Sequence, residues 1–163
     1  MATKIREVAL EDAGECAEIY RPIVEQSIIS FEETAPDADE FKRRIASVTE
    51  HYPWLVALSN DRVVGYAYGH RHRERAAYRY AVEVSVYVDE GERGNGVGRK
   101  LYDALLAQLR ERKFHQAFAG IALPNEASEA LHARCGFIKI GVFREIGRKF
   151  DRWIDVSWWQ RAL

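Results

Sequence analysis

The segment Glu83-Val-Ser-Val-Tyr-Val88 runs, after a short polar break, into Arg93-Gly94-Asn95-Gly96-Val97-Gly98. A β-rich apolar run, three glycines at alternate positions and then a helical pattern predict a strand, a glycine turn and a helix in direct succession. Glycine has no Cβ, so such a turn lets a ligand approach backbone N–H groups closely. The first turn of the helix adds unpaired N–H groups and the positive end of its dipole, a combination that suits a pyrophosphate. Two common phosphate patterns fail on residue type. A P-loop ends in Gly-Lys-Ser/Thr, whereas Gly98 is followed by Arg99, Lys100 and Leu101, with no hydroxyl for magnesium. A dinucleotide fingerprint reads G-x-G-x-x-G, whereas these glycines read G-x-G-x-G with no acidic residue closing the next strand. R-x-x-G-x-G, from Arg93 to Gly98, remains.

The rest of the chain narrows the setting. Its 163 residues form most simply one domain, 1–163, large enough for a real core. A formal net charge of -1 gives no basic field for nucleic acid or an acidic membrane surface, so neither is expected as a partner. No apolar run approaches a membrane span, and the amino terminus lacks a signal-peptide core. Cys16 and Cys135 sit in helical patterns without metal spacing and read as reduced thiols of a cytoplasmic protein; no metal is expected.

Periodicity predicts a first strand at Lys4 to Val8 and a helix capped by Glu11 and Asp12, with Ala13, Cys16, Ala17, Tyr20, Ile23 and Val24 on one face. A second helix starts at Asp37 to Glu40, with Phe41 and Ile45 facing the core. Trp54 to Leu58 and Val63 to Gly69 read as a hairpin, and Ala81 to Val88 as the strand before the glycine turn. Val97, Leu101, Leu105 and Leu109 mark the next helix. A buried strand follows at Ala117 to Leu123, then a short helix at Asn125 to Cys135. Ile138 to Phe143 and Trp153 to Gln160 close the chain as strands. Hairpins mixed with crossovers predict a mixed α/β fold, with helices on both faces of one sheet.

Two motifs in order carry a family resemblance. Arg93 to Gly98 resembles the pyrophosphate signature of the GNAT N-acyltransferases. Leu123-Pro-Asn125-x-x-Ser128-x-x-Leu131-His132-x-x-Cys135-Gly136-Phe137 is similar to the second GNAT signature, in which an Asn opens a helix that ends in Gly-Phe. Within that superfamily the chain looks most like the phosphinothricin and methionine sulfoximine N-acetyltransferases. The match runs through Ala77-Tyr78 and Val82 to Val88, through Leu131-His132, and through Lys149-x-x-x-Trp153-x-Asp155-Val156-x-x-Trp159-Gln160.

The resemblance implies a GNAT-like central mixed, mostly antiparallel sheet. It also implies direct acetyl transfer from acetyl-CoA, through a tetrahedral intermediate, to the amine of a small anionic amino-acid-like substrate. Coenzyme contacts are then expected at Val86, Tyr87, Val88, Arg93, Gly94, Asn95, Gly96, Val97, Gly98, Arg99, Asn125 and Ser128. Substrate contacts are expected at Phe31, Arg73, Arg75, Tyr78, Glu83 and Ser85, with Glu33 beside Phe31.

An arriving amine is mostly ammonium at neutral pH and must lose a proton before it attacks a thioester, which calls for a general base. Glu83 alone among the acidic residues interrupts an apolar run next to the coenzyme segment. His132 stands where many GNAT enzymes carry a tyrosine, and its imidazole suits either protonation of the leaving thiolate or a share in amine deprotonation. Arginine forks grip carboxylates and phosphinates bidentately, so the run His70 to Arg79 favours an anionic substrate. Two other readings remain: a GNAT enzyme for another amine, such as a peptide amino terminus or an antibiotic, and a non-catalytic acyl-CoA-binding module. Trp153, Trp158 and Trp159 belong either to the core or to a dimer surface, and the family's frequent dimers imply a homodimer.

Overall fold

The computed structural model describes residues 2–163. Seven strands form one sheet in the order β1-β2-β3-β4-β5-β7-β6: β1 (Lys4–Glu7), β2 (Trp54–Ser59), β3 (Arg62–Arg71), β4 (Ala81–Val88), β5 (Gln116–Ala122), β6 (Ile138–Lys149) and β7 (Arg152–Ala162). Every neighbouring pair is antiparallel except β4 and β5, the pair that a helical crossover must join. The mixed, mostly antiparallel sheet expected from the motifs is present.

Each face of the sheet carries helices. Helices α1 (Ala13–Gln26) and α2 (Ala38–Thr49) cover one face, where Ile23, Val24, Phe41 and Ile45 pack on Trp54, Val56, Val63 and Tyr66. Helix α3 (Val97–Glu111) covers the other, where Leu101, Leu105 and Leu109 sink between Val82, Val84, Ala117 and Ala119. Helix α4 (Glu126–Arg134) lies beside α3, its Cys135–Phe137 end in the same core. Alternation along β4 therefore sends Val82 and Val84 towards α3, and Glu83, Ser85 and Tyr87 towards the opposite face.

Local chemistry sets the helix ends. Asp37 caps α2 by accepting the Glu40 N–H at 2.8 Å. At α1 the expected acidic cap takes another form. Leu10–Asp12 make a 3₁₀ turn, and the Asp12 carboxylate accepts from the Ala9 N–H (2.7 Å) and from both arms of Arg6 (2.7 and 2.9 Å). The Arg6 guanidinium holds Asp12 below the ordinary carboxylate range. Strand β6 runs six residues beyond the expected Phe143, because its register on β7 shifts between Phe143 and Gly147. The interruption breaks the alternation from which strand length is read. Glu145, at φ 49°, sits in this bulge and donates its N–H to Asp155 at 2.7 Å.

Candidate active site

β4 pairs with β3 from Val82 to Val88, but with β5 only at Ala81, Val82 and Glu83. Beyond the Glu83–Phe118 pair the two strands part, and β5 continues against β7. The Asp89 N–H donates to the Val64 carbonyl at 2.9 Å, which makes that cross-strand pair hydrogen-bonded. Antiparallel alternation then turns the N–H and C=O of Tyr87 and Ser85 towards β3, and those of Val86 and Val88 into the split. Of the three residues expected to offer backbone to a coenzyme arm, Val86 and Val88 face the gap. Tyr87 has its own backbone committed to β3.

The glycine turn sits at the end of this open edge. Gly94 and Gly96 adopt φ of +81° and +80°, and a Cβ built on either meets no atom within 4 Å. Open space and left-handed backbone on the same residues make the kind of surface a ligand can lie against. The first intrahelical bond of α3 is Lys100 N–H to Gly96 C=O, so the Val97, Gly98 and Arg99 amides have no partner in the helix. A Cβ at Gly98 would come within 3.2 Å of Leu131, which keeps the starts of α3 and α4 in close contact. Arg93 bonds the Val88 carbonyl through Nε at 3.3 Å, and Asn95 reaches Glu92 at 3.3 Å. Asn125 caps α4 by accepting the Ser128 N–H at 3.1 Å. Amides, glycines and basic side chains thus converge beside the split, and they fit a pyrophosphate followed by an extended amide-bearing arm.

On the other face the split opens into a cleft of about 660 Å³, walled by Ser30 and Phe31, by Glu83 and Ser85 of β4, by Gly120 of β5 and by Trp158 of β7. Glu83 lies on the wall at the point of parting, and His72 Nδ1 sits 3.1 Å from its Oε2. His70 also lines the cleft; burial pushes its imidazole below the usual value, against the opposing pull of Glu83. Phe31 forms a wall because Gly147 has no side chain: a Cβ there would run into the Phe31 ring. Exposed Glu33 lies next to that wall in sequence and does not line the cleft.

Two cleft features escaped the sequence reading. Glu32, rather than Glu33, lines the cleft and accepts from Tyr20 Oη (2.5 Å) and from both arms of Arg44 (3.0 and 2.6 Å). Arg44 holds its carboxyl below the ordinary range. Lys149 is buried, with Nζ donating to the Val24 (2.6 Å) and Ser30 (2.7 Å) carbonyls, which pins the segment carrying Phe31. Burial lowers its pKa. The signal available for Lys149 was its place in the carboxyl-terminal motif; Glu32 had none.

His132 stands apart from Glu83. Its ring is buried, Nδ1 donates to the Ser128 carbonyl at 2.7 Å, and Nε2 accepts from the Tyr102 hydroxyl at 2.9 Å. Both nitrogens are engaged, burial pushes the pKa down, and the residue does not line the cleft. Its bond to Tyr102 ties α4 to α3. Arg73, Arg75 and Tyr78 are exposed and do not line the cleft. Arg73 lies 5.9 Å from the Tyr78 ring centroid, and Tyr78 meets His72 edge-on at 5.8 Å.

Residues 5–158 match the family model described as an acetyltransferase (GNAT) domain. The chain is 37% identical to a phosphinothricin N-acetyltransferase of Streptomyces coelicolor, over 98% of this chain and 96% of that one. It is 35% identical to an L-methionine sulfoximine/L-methionine sulfone acetyltransferase of Pseudomonas paraeruginosa, over 100% of this chain and 96% of the relative. The crystal structure of a phosphinothricin acetyltransferase from Sinorhizobium meliloti in complex with AcCoA superposes with a TM-score of 0.96 at 36% identity. That match covers 100% of this chain and 89% of that one.

The neutral, buried His132 has a consequence for stability. The unfolded chain takes up a proton near the free-imidazole value of about 6.5, whereas the folded ring does so only at lower pH. Its contribution is therefore fully present above about pH 6.5 and is lost as pH falls, by up to about 1.4 kcal/mol per pH unit. Urea unfolding at pH 7.5 and 5.5 should show native protein losing on the order of 1 kcal/mol more than His132→Gln. Equal losses in the two proteins would mean that the ring is not held neutral.

Proposed function

The chain belongs to the GNAT acetyltransferase family, and on that premise we propose that it acetylates the amino group of a small amino acid of the phosphinothricin, methionine sulfoximine or methionine sulfone type. The relatives' named substrates support this class. The observation that carries the proposal is the position of Glu83: a carboxylate on the cleft wall where β4 leaves β5, next to the Val86 and Val88 backbone that faces the split. Residues 1–163 act as one catalytic domain, since a single sheet runs from Lys4 to Ala162.

Acetyl-CoA, bound on the α3 side, supplies a thioester carbonyl. The Val97 to Arg99 amides, Gly94, Gly96, Arg93 and Arg99 receive its pyrophosphate, while Asn125 and Ser128 lie beside the split at the start of α4. Val86 and Val88 hydrogen-bond the arm as an added strand would, and an N–H there is set to stabilise negative charge on the carbonyl oxygen. From the cleft side, Glu83 takes a proton from the ammonium, directly or through a water. Ser85 and Phe31 shape the space for the substrate side chain, and the exposed loop of Arg73, Arg75 and Tyr78, joined to Glu83 through His72, receives its anionic group. His132 serves the coenzyme side by fixing α4 against α3. The buried free thiols of Cys16 and Cys135 support a reducing, cytoplasmic compartment.

A second reading draws on one observation: the charged groups in the cleft lining are Glu32 and Glu83, with no lysine or arginine among them. An amine without an acidic group fits such a wall. A thiol-release assay with acetyl-CoA against phosphinothricin, methionine sulfone, polyamines and short peptides separates the two readings. Turnover of the amino acids at least tenfold above the rest is expected, and preference for a polyamine or peptide would replace the first reading with the second.

Glu83→Gln keeps the shape of the base and removes its proton affinity, so kcat should fall by roughly 10²- to 10⁴-fold with acetyl-CoA affinity intact. A drop smaller than about threefold would make Glu83 structural. Arg75→Ala should raise KM for phosphinothricin roughly ten- to a hundredfold, the cost of a charge-assisted contact, and leave acetyl-CoA binding unchanged. An unchanged KM would remove Arg75 from the substrate site.

We extend the reading to a homodimer. Edge strand β6 and its turn expose Ile138 (71%), Ile140, Ile146, Phe150 and Trp153 (58%), an apolar margin of the kind that proteins cover. Trp159 is in the core at 8% exposure, and Trp158 packs on Gly120 in the cleft. The tryptophans expected together thus divide, and Trp153 is left for a partner. Sedimentation should give a dimer for the native protein and a monomer for Ile138→Lys with Trp153→Glu; a native monomer would overturn the extension.

A further inference from the structure

Glu83 is not held by its own strand alone. His72, one residue past the end of β3, lies with Nδ1 3.1 Å from Glu83 Oε2. A carboxylate only accepts, so Nδ1 carries the proton and donates it. The imidazole is in turn fixed from two sides. It lies flat on Phe118, with ring centroids 4.9 Å apart and planes at 16°, and it meets Tyr78 edge-on at 5.8 Å. Phe118 is the register partner of Glu83 on β5, at the last pair before the strands part. Tyr78 belongs to the loop that carries Arg73 and Arg75. One imidazole therefore touches the carboxylate, the strand that turns away from it, and the loop that carries Arg73 and Arg75.

We infer that His72 is a positioning residue for the Glu83 base. Its Nδ1–H occupies Oε2 and so leaves Oε1 to meet the incoming ammonium, while the stack on Phe118 fixes the direction from which that bond is made. The side chains of His72 and Glu83 are only 16% and 20% exposed, so water competes weakly for the bond. A long acidic side chain has three rotatable bonds, and the gain lies in restricting them before the substrate arrives. His70 does not substitute for His72. It is the register partner of Glu83 on β3 and lines the cleft, whereas the hydrogen bond to the carboxylate comes from His72.

This inference rests on Glu83 being the base, and the test separates the two claims. His72→Phe keeps a flat ring on Phe118 and removes the donor; His72→Asn keeps a donor and removes the stack. Both are assayed beside Glu83→Gln and the double variant His72→Phe/Glu83→Gln, with acetyl-CoA and phosphinothricin at saturation and folding checked by thermal melts. In an otherwise native enzyme His72→Phe should lower kcat by about tenfold or more, with KM for acetyl-CoA unchanged. His72→Asn should recover part of that loss. In the Glu83→Gln background His72→Phe should change kcat by less than about twofold, because the two side chains act as one unit. A folded His72→Phe enzyme within about twofold of native kcat would overturn the inference, as would the same fold-loss in both backgrounds. An active Glu83→Gln enzyme would instead remove the base itself.

Discussion

The parting of β4 from β5 after the Glu83–Phe118 pair is the constraint on which the rest of the site depends. β5 is drawn away by its seven-residue pairing with β7, where Trp158 lies over the bare backbone of Gly120. β4 stays with β3. The consequence is a stretch of half-buried backbone in mid-sheet, at Val86 and Val88, with no strand beside it, a situation that sheets rarely leave uncovered. An extended amide-bearing ligand can pair there as a missing strand would. The same parting sets Glu83 on the cleft wall at the boundary between the two faces of the sheet.

Polar networks then hold the cleft walls in place. Lys149 reaches from the closing hairpin to the Val24 and Ser30 carbonyls, and Asp155 secures the bulge at Glu145. Arg44 and Tyr20 together saturate Glu32, so that Glu83 is the cleft carboxylate without an arginine partner. On the far side Tyr102 and His132 join the two helices whose first turns face the split. Each of these contacts spends a charged or polar side chain on geometry rather than on chemistry. The reacting groups are correspondingly few.

What was legible in the sequence was local. The glycine turn, the strand before it, the Asn125 cap and the isolated Glu83 all follow from residue types within a few positions of one another, and local patterning decides them. The contacts of Glu32 and Lys149 were opaque because their partners lie 12 and more than 100 residues away. His132 shows the same limit from the other side: its motif position invited a chemical role, while its burial and its bond to Tyr102, 30 residues earlier, could not be read from that motif. The arginine run read correctly as a charged loop, but nothing in it fixes how far those side chains stand from the cleft lining.

Backbone hydrogen exchange, read residue by residue by NMR with and without acetyl-CoA, tests the central claim most directly. On the proposal that the coenzyme arm pairs with the open edge of β4, the Val86 and Val88 amides should slow by at least about tenfold on binding. The Tyr87 amide, already bonded to β3, should change little. Unaltered exchange at Val86 and Val88 in a protein saturated with acetyl-CoA would contradict the assignment of the split as the coenzyme site.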